Sequence, residues 1–399
     1  MAGLALAGAL PTPAIAERAP LRIGVMLPAT GVYAEIGRQV VEGFDLRLDQ
    51  LGGRLGGRSV EFVRVDDQSR PDMAEGLMRR LIERDKVDLV IGSVHSGVSI
   101  VMADIARRTS TLMIVPVAGA NEITDSLCAP NIWRTSFSNW QVCRPMGAVV
   151  ARDGHHTAMT ISWRYAAGQQ TCDAFAQGFI ASGGTVVSQL YLPFPMTDFT
   201  PLLAQIKVRK PDAVFAFFAG PPAAQFIRAY AAEGLRERIP LYGQGSLTDG
   251  IPAMPEAQGV RTTFHYAAGL NLQADRDFRA AYRARTGHEG DAYAVHGFDT
   301  ATLLDIGLST ADGDVKNRAA LYRAMGAAAI DSPRGRIAFS KSNHVIQNVY
   351  LREFRNGANE FLSVVDAAAK SPEDGCRAGA KRVSGAPEPM PTDSFSAAL

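Results

Sequence analysis

Twice along the chain, short unbroken apolar runs alternate with segments whose apolar residues recur every three or four positions. In the first series "LRIGVML" (21–27) precedes a helical pattern from Tyr33 in which Ile36, Val40, Phe44 and Leu48 return every fourth residue. "RSVEFVRV" precedes a helix at 72–85, "VDLVI" precedes one at 97–108, and "TLMIVPV" follows. The second series begins with helix 139–153 and strand "HTAMTIS", then helix 168–182, strand "TVVSQLYL" and helix 199–209. Strand "AVFAFF", helix 222–234 and strand "IPLYG" complete it. Helical patterns return at 274–286, 291–309 and 315–328, while strands near 260–266 and 346–353 are placed to cross between two bodies. Unbroken apolar strands between amphipathic helices predict parallel sheets covered on both faces. Two such series predict two α/β lobes.

Charge and cysteine usage narrow the class. The 399 residues carry a net charge of +1 without a basic block, so nothing argues for nucleic acid or an anionic membrane surface. No apolar run reaches the roughly 18–20 residues of a spanning helix. The opening "MAGLALAGALPTPAIAERAP" is small and apolar and offers Ala14-Ile15-Ala16 before Glu17 and Arg18, an A-x-A cleavage pattern. It reads as the back half of an export signal, with the positive n-region missing. Four cysteines, Cys128, Cys143, Cys172 and Cys376, fit an oxidising compartment and allow three pairings. A Cys128–Cys376 bond would pin the Pro- and Gly-rich tail to the body, whereas Cys143 and Cys172 read equally well as buried free thiols. With no C-x-x-C and no His at zinc-ligand spacing, neither a metal nor another cofactor is expected.

In an open parallel sheet, ligands sit where strands end and helices begin. Those positions hold Thr30 and Tyr33, then Ser93, His95 and Ser96, then Ala118 to Asn121 in the first series. In the second they hold Trp163, Arg164 and Tyr165, then Phe218 and Gly220, then Gln244 and Ser246. Small residues let backbone approach a ligand and aromatic residues offer faces, which suits a small molecule gripped from two sides. Ser96 beside His95 raises a nucleophile and its base, but "GSVHSG" misses the G-x-S-x-G spacing. The same residues make an anion cradle at a helix start, or an ordinary N-cap. "GGRLGGR" lacks the phosphate-loop pattern and reads as a surface turn; His155-His156 and His288-Glu289 read as solvated loop residues.

Together, "LRIGVMLPATGVYAEIGRQVVEGFDLRLD", "VDLVIGSVHSGVS", "IVPVAGANEIT" and "YAVHGFDTATLL" resemble the periplasmic solute-binding proteins of the leucine/isoleucine/valine-binding type, which serve ABC importers. "FFAGPPAAQFIRAYAAEGLRERIPLYGQGSLTD" looks most like the branch that binds aromatic acids. The resemblance implies two Rossmann-like lobes with parallel sheets joined by a three-strand hinge. It divides the chain into a leader (1–19), one lobe (20–138 and 268–345), a second (139–267 and 346–370) and a disordered tail (371–399). Carried over by position, Tyr33, Ser93 and Ser96 contact ligand from the first lobe, with Ala118, Gly119 and Ala120 at its carboxylate; Tyr165 and Phe218 are the aromatic positions of the second. The sequence departs from amino-acid binders at Gly245, where they carry an acid for the α-ammonium. The expectation is a periplasmic monomer that is not an enzyme, capturing a small carboxylate, an aromatic acid, by hinge closure and delivering it to an inner-membrane ABC permease. A ligand sensor of the same fold, or a branched-chain amino acid binder, is the alternative.

Overall fold

The computed structural model describes residues 18–371 and Cys376, so the expected export signal and nearly all of the expected tail lie outside the described residues. The first lobe opens with β1 (Leu21–Leu27), α1 (Ala34–Gln50), β2 (Arg54–Leu55), β3 (Arg58–Asp66), α2 (Pro71–Arg79), β4 (Leu89–Gly92), α3 (Ser96–Thr109), β5 (Leu112–Val115) and β6 (Ile132–Arg134). The second contains α4 (Asn139–Arg152), β7 (Thr157–Arg164), α5 (Ala166–Ala181), β8 (Thr185–Pro193), α6 (Thr200–Arg209), β9 (Ala213–Phe217), α7 (Pro221–Ala232), β10 (Leu241–Gln244) and β11 (Arg261–Phe264). Then α8 (Gln273–Thr286), α9 (Ala292–Thr310) and α10 (Arg318–Ala327) follow, α8 and α9 packed on α1. The chain ends in β12 (Ile330–Ser332), β13 (Gly335–Phe339), β14 (Val345–Arg355) and β15 (Ala358–Ala369).

The first sheet has the order β2-β3-β1-β4-β5-β6 and is parallel except for the short β2–β3 hairpin. The second has the order β12-β13-β14-β11-β10-β9-β7-β8, with β15 also on β14. Strands β8, β7, β9, β10 and β11 are mutually parallel, as expected, but β12 to β15 are not. β14 returns antiparallel to β11 and forms a hairpin with β15. The expected parallel sheets are thus extended by antiparallel strands, because the two-residue reversal between β14 and β15 cannot make a parallel crossover. β15 went unread because its half-exposed pattern gives no apolar run.

Glycine sets how closely the helices meet. A Cβ on Gly43 would lie 1.8 Å from the Ala294 carbonyl oxygen, and one on Gly297 2.0 Å from that of Val40, so α1 and α9 touch backbone to backbone. Gly147 and Gly178 do the same between α4 and α5, with 2.2 Å to Phe179 N and 2.0 Å to Arg144 O. Beyond β15, Ser371 Oγ donates to Ser138 Oγ at 2.8 Å, and Cys376 is bonded to Cys128. Cys143 and Cys172 are free and buried.

The chain leaves the first sheet after β6 and the second after β11, packs α8 and α9 on α1, and rejoins the second sheet at β12. Buried polar side chains fill this junction. Arg334, just before β13, pairs with Asp299 of α9 at 2.8 Å, both with fully buried side chains. It also donates to Thr135 O, to Ser136 O at 3.1 Å and to Gln347 Oε1 at 2.6 Å, tying the first crossing to β14. Gln347 Nε2 continues to Gln141 Oε1 at 2.9 Å, and Gln141 Nε2 to Ala369 O at 2.8 Å. Burial pulls the Arg334 pKa down and the Asp299 pKa up, since each charge has lost its water and has chiefly the other to replace it. Removing one partner strands the other. Asp299→Ala is expected to lower the urea midpoint by the equivalent of about 3–5 kcal/mol with an unchanged m-value.

Candidate functional site

The carboxyl ends of both sheets face one cleft, lined by Tyr33, Ile36, Val94, Ser96, Val117, Gly119, Phe137, Asn139, Tyr165, Ala167, Phe217, Ala219, Ser246 and Tyr293. The lobes are closed upon it. Tyr33 Oη and Tyr165 Oη meet at 2.8 Å across the gap, and the His95 ring stacks on Tyr165 with centroids 4.5 Å apart. Gly220, at φ +67°, brings its loop so near the other lobe that a Cβ would lie 2.7 Å from Val32 O. About 30 Å3 remains in which a water could be centred. A benzene-sized guest occupies a cavity of about 150 Å3, so it enters only if these rings part.

On the first lobe, Ser96 is the first residue of α3, and its hydroxyl has no hydrogen-bond partner among the described residues. His95 caps that helix, its Nδ1 accepting from Gly97 N at 3.1 Å, which leaves the ring proton on Nε2. The imidazole is thus committed to the backbone and makes no hydrogen bond to Ser96, so the nucleophile–base arrangement weighed from the sequence is not assembled. Ser93 lies a layer deeper: its hydroxyl donates to Asp67 and accepts from Val94 N at 2.6 Å. Ala118 N donates to Ser93 O at 3.1 Å, and the Ala120 carbonyl accepts from Arg134. The amides of Gly119 and Ala120 meet no acceptor among the described residues. At Gly119 a Cβ would sit 2.3 Å from Asn139 Oδ1 and 2.7 Å from the Phe137 ring, so a larger residue there would displace these cleft side chains.

On the second lobe, Tyr165 and Ser246 reach the cleft while Trp163, Phe218, Gly220 and Gln244 stand behind it. Trp163 donates Nε1 to Met196 O at 2.9 Å, and Phe218 packs edge-on against Trp163 and Phe199 at 5.0 Å each. Phe217, one residue earlier, lines the cleft instead. Gln244 Oε1 accepts from Ser246 N at 2.7 Å and turns that loop. Phe194, unsuspected from sequence, wedges its ring among Tyr33, His95, Trp163 and Tyr165 at 4.8–5.6 Å. Phe137, Asn139 and Tyr293 were also missed. They sit on the hinge side, and the helix-start signals Ser138 and Asp291, which cap α4 and α9, were the available clue.

Among the described residues no charged side chain lines the cleft. Five helix starts do: α1 at Tyr33, α3 at Ser96, α4 at Asn139, α5 at Tyr165 and α9 at Tyr293. Each presents the positive end of a peptide-dipole array. Of the nearby acids, Asp249 pairs with Arg352 at 2.9 Å, while Asp291 accepts from Tyr293 N at 2.8 Å through Oδ1 and its Oδ2 is buried without a partner among the described residues. Burial keeps the tyrosine hydroxyls protonated and pushes the His95 pKa down to about 4, so the ring is neutral.

That depression has a sign. Unfolded His95 takes up its proton near pH 6.5 and the folded one only near 4, so its contribution is intact above 6.5 and is lost as pH falls towards 4. His95→Gln should flatten the pH dependence of unfolding in that window by about 3 kcal/mol, read from urea melts at pH 7 and pH 4.

A solute-binding protein of an ABC transporter from R. palustris, solved in complex with benzoate, is 41% identical with a TM-score of 0.87, over 90% of this chain and 100% of that one. Another, from Rhodopseudomonas palustris BisB5 in complex with 3,4-dihydroxy benzoic acid, is 29% identical with a TM-score of 0.83, over 88% and 99%. The Leu/Ile/Val-binding protein homolog 6 of Brucella melitensis is 30% identical over 342 residues, 84% of this chain and 87% of that protein. The family model for periplasmic binding proteins matches residues 20–359, and the chain, with its two α/β lobes and three crossings, belongs to that family.

Proposed function

We propose that this protein is the extracytoplasmic substrate-binding component of an ABC importer and captures a small aromatic carboxylate by closing its lobes. The observation that carries the ligand class is the convergence of five helix starts on a cleft with no charged lining residue among those described. An anion there gains amide dipoles and hydroxyl donors, with Ser96 Oγ and the Gly119 and Ala120 amides free to donate. Tyr33, Phe137, Tyr165, Phe217 and Tyr293 offer ring faces and edges to an apolar body. Benzoate and dihydroxybenzoate, present in two similar structures, are of this kind.

An α-amino acid fits the electrostatics poorly. Its ammonium would face the same positive helix ends, and Gly245 supplies no acid. The relatives named for leucine, isoleucine and valine nonetheless make those amino acids the proper rivals. Family membership supports export to the periplasm, and delivery to a permease follows from the similar transporter components. Closure would present the permease with a shape that the open form lacks.

Thermal melts decide between the ligands. Benzoate at about a hundred times its dissociation constant should stabilise the protein by about 2.7 kcal/mol, and leucine should not. Stabilisation by leucine alone would overturn the proposal. Ser96→Ala should weaken benzoate by about 1.5–3 kcal/mol in calorimetric titration, the worth of one hydrogen bond to a charged group.

A further inference from the structure

The loop that brings Gly119 and Ala120 to the cleft continues into two residues that reach the other lobe. Asn121 N donates to Gln170 Oε1 at 2.9 Å, and Gln170 Nε2 lies 2.8 Å from each oxygen of Glu122. Asn139 Nδ2 also donates to Gln170 Oε1, at 3.1 Å. Gln170 stands on α5, little more than a turn beyond the Tyr165 cap that stacks on His95. The peptide joining Ala120 to Asn121 is thereby held at both ends. Its carbonyl accepts from Arg134 of the first lobe, and its N–H donates to Gln170 of the second.

We propose that Gln170 is a closure latch, a positioning residue that fixes the carboxylate-binding loop only when the lobes are shut. An amide suits the place because it accepts from Asn121 and Asn139 while donating to Glu122. A carboxylate there would accept equally well but would confront Glu122 with like charge, and an apolar side chain would leave both Asn121 N and Glu122 unmet. When the lobes part the bonds to Asn121 and Glu122 pass to water and the loop loses that outer support, while Asn139 stays with Gln170 in the second lobe, so the latch governs ligand escape more than encounter. Its effect on affinity rests on the aromatic-carboxylate reading of the cleft, whereas its effect on closure does not.

The test exchanges the amide and the carboxylate in the full chain. Gln170→Glu, Glu122→Gln and the double variant are compared with the unmodified protein by stopped-flow benzoate release. Interlobe distances are taken in parallel from spin labels at Lys86→Cys and Val208→Cys, both exposed positions. Gln170→Glu should release benzoate about ten- to a hundredfold faster with a nearly unchanged association rate, the range expected for one charge-assisted hydrogen bond. It should also lengthen the mean interlobe distance. The double variant, in which the amide of residue 122 donates to the carboxylate of residue 170, should recover both quantities. A simple folding defect would not be repaired by that exchange. Unchanged release and distance in Gln170→Glu, or a double variant no better than the single, would refute the latch. Should the unmodified protein fail to bind benzoate, the functional reading falls, and the ligand-free distances alone decide the latch.

Discussion

A guanidinium without access to water governs how the two lobes meet. Arg334 takes its partners from α9, from the first crossing and from β14, so the groups that replace its hydration come from the chain segments that any hinge motion must turn about. A buried charge tolerates little displacement of such partners, which keeps the axis in place while the lobes rock. Two further buried arginines stand behind the cleft loops. Arg134 donates to Ala120 O and, through Nε, to His344 at 3.0 Å; Arg352 donates to Gly245 O at 3.0 Å and Tyr266 O at 2.8 Å. Positive charge is thus abundant one layer back and absent from the lining.

That separation bears on selectivity. A lysine or arginine in the cleft would attract any small anion, whereas oriented amides and a serine hydroxyl reward one that fits their geometry. The apolar side is equally constrained: Phe194, Trp163 and Phe218 form a second row behind Tyr33 and Tyr165, so the front rings have little freedom to tilt. Next to the cleft Asp249 is paired with Arg352 and Asp291 caps α9 with one oxygen, so the lining itself confronts its guest with dipoles.

Most of this fold was legible in the sequence because its parallel strands are buried on both faces and announce themselves as unbroken apolar runs. β7, β9 and β10 begin and end within two residues of their expected spans. The same property hid which ring of β9 faces the cleft. With Ala213 to Phe218 all buried, no alternation distinguishes Phe217, which lines the cleft, from Phe218, which packs behind it. Strand ends led to Tyr33, Ser96, Gly119, Tyr165 and Ser246. They could not lead to Asn139 or Tyr293, which the hinge delivers from helix starts far along the chain, nor to Gln170, whose partners are 31 to 49 residues away.

The Cys128–Cys376 bond has a topological consequence. Its cysteines are 248 residues apart, and all three passages between the lobes fall between them. The entire second lobe is therefore threaded on a covalent ring closed upon the first. A protease that cuts one surface loop of that ring opens it without freeing a fragment, and the nicked molecule keeps both halves until a reductant arrives.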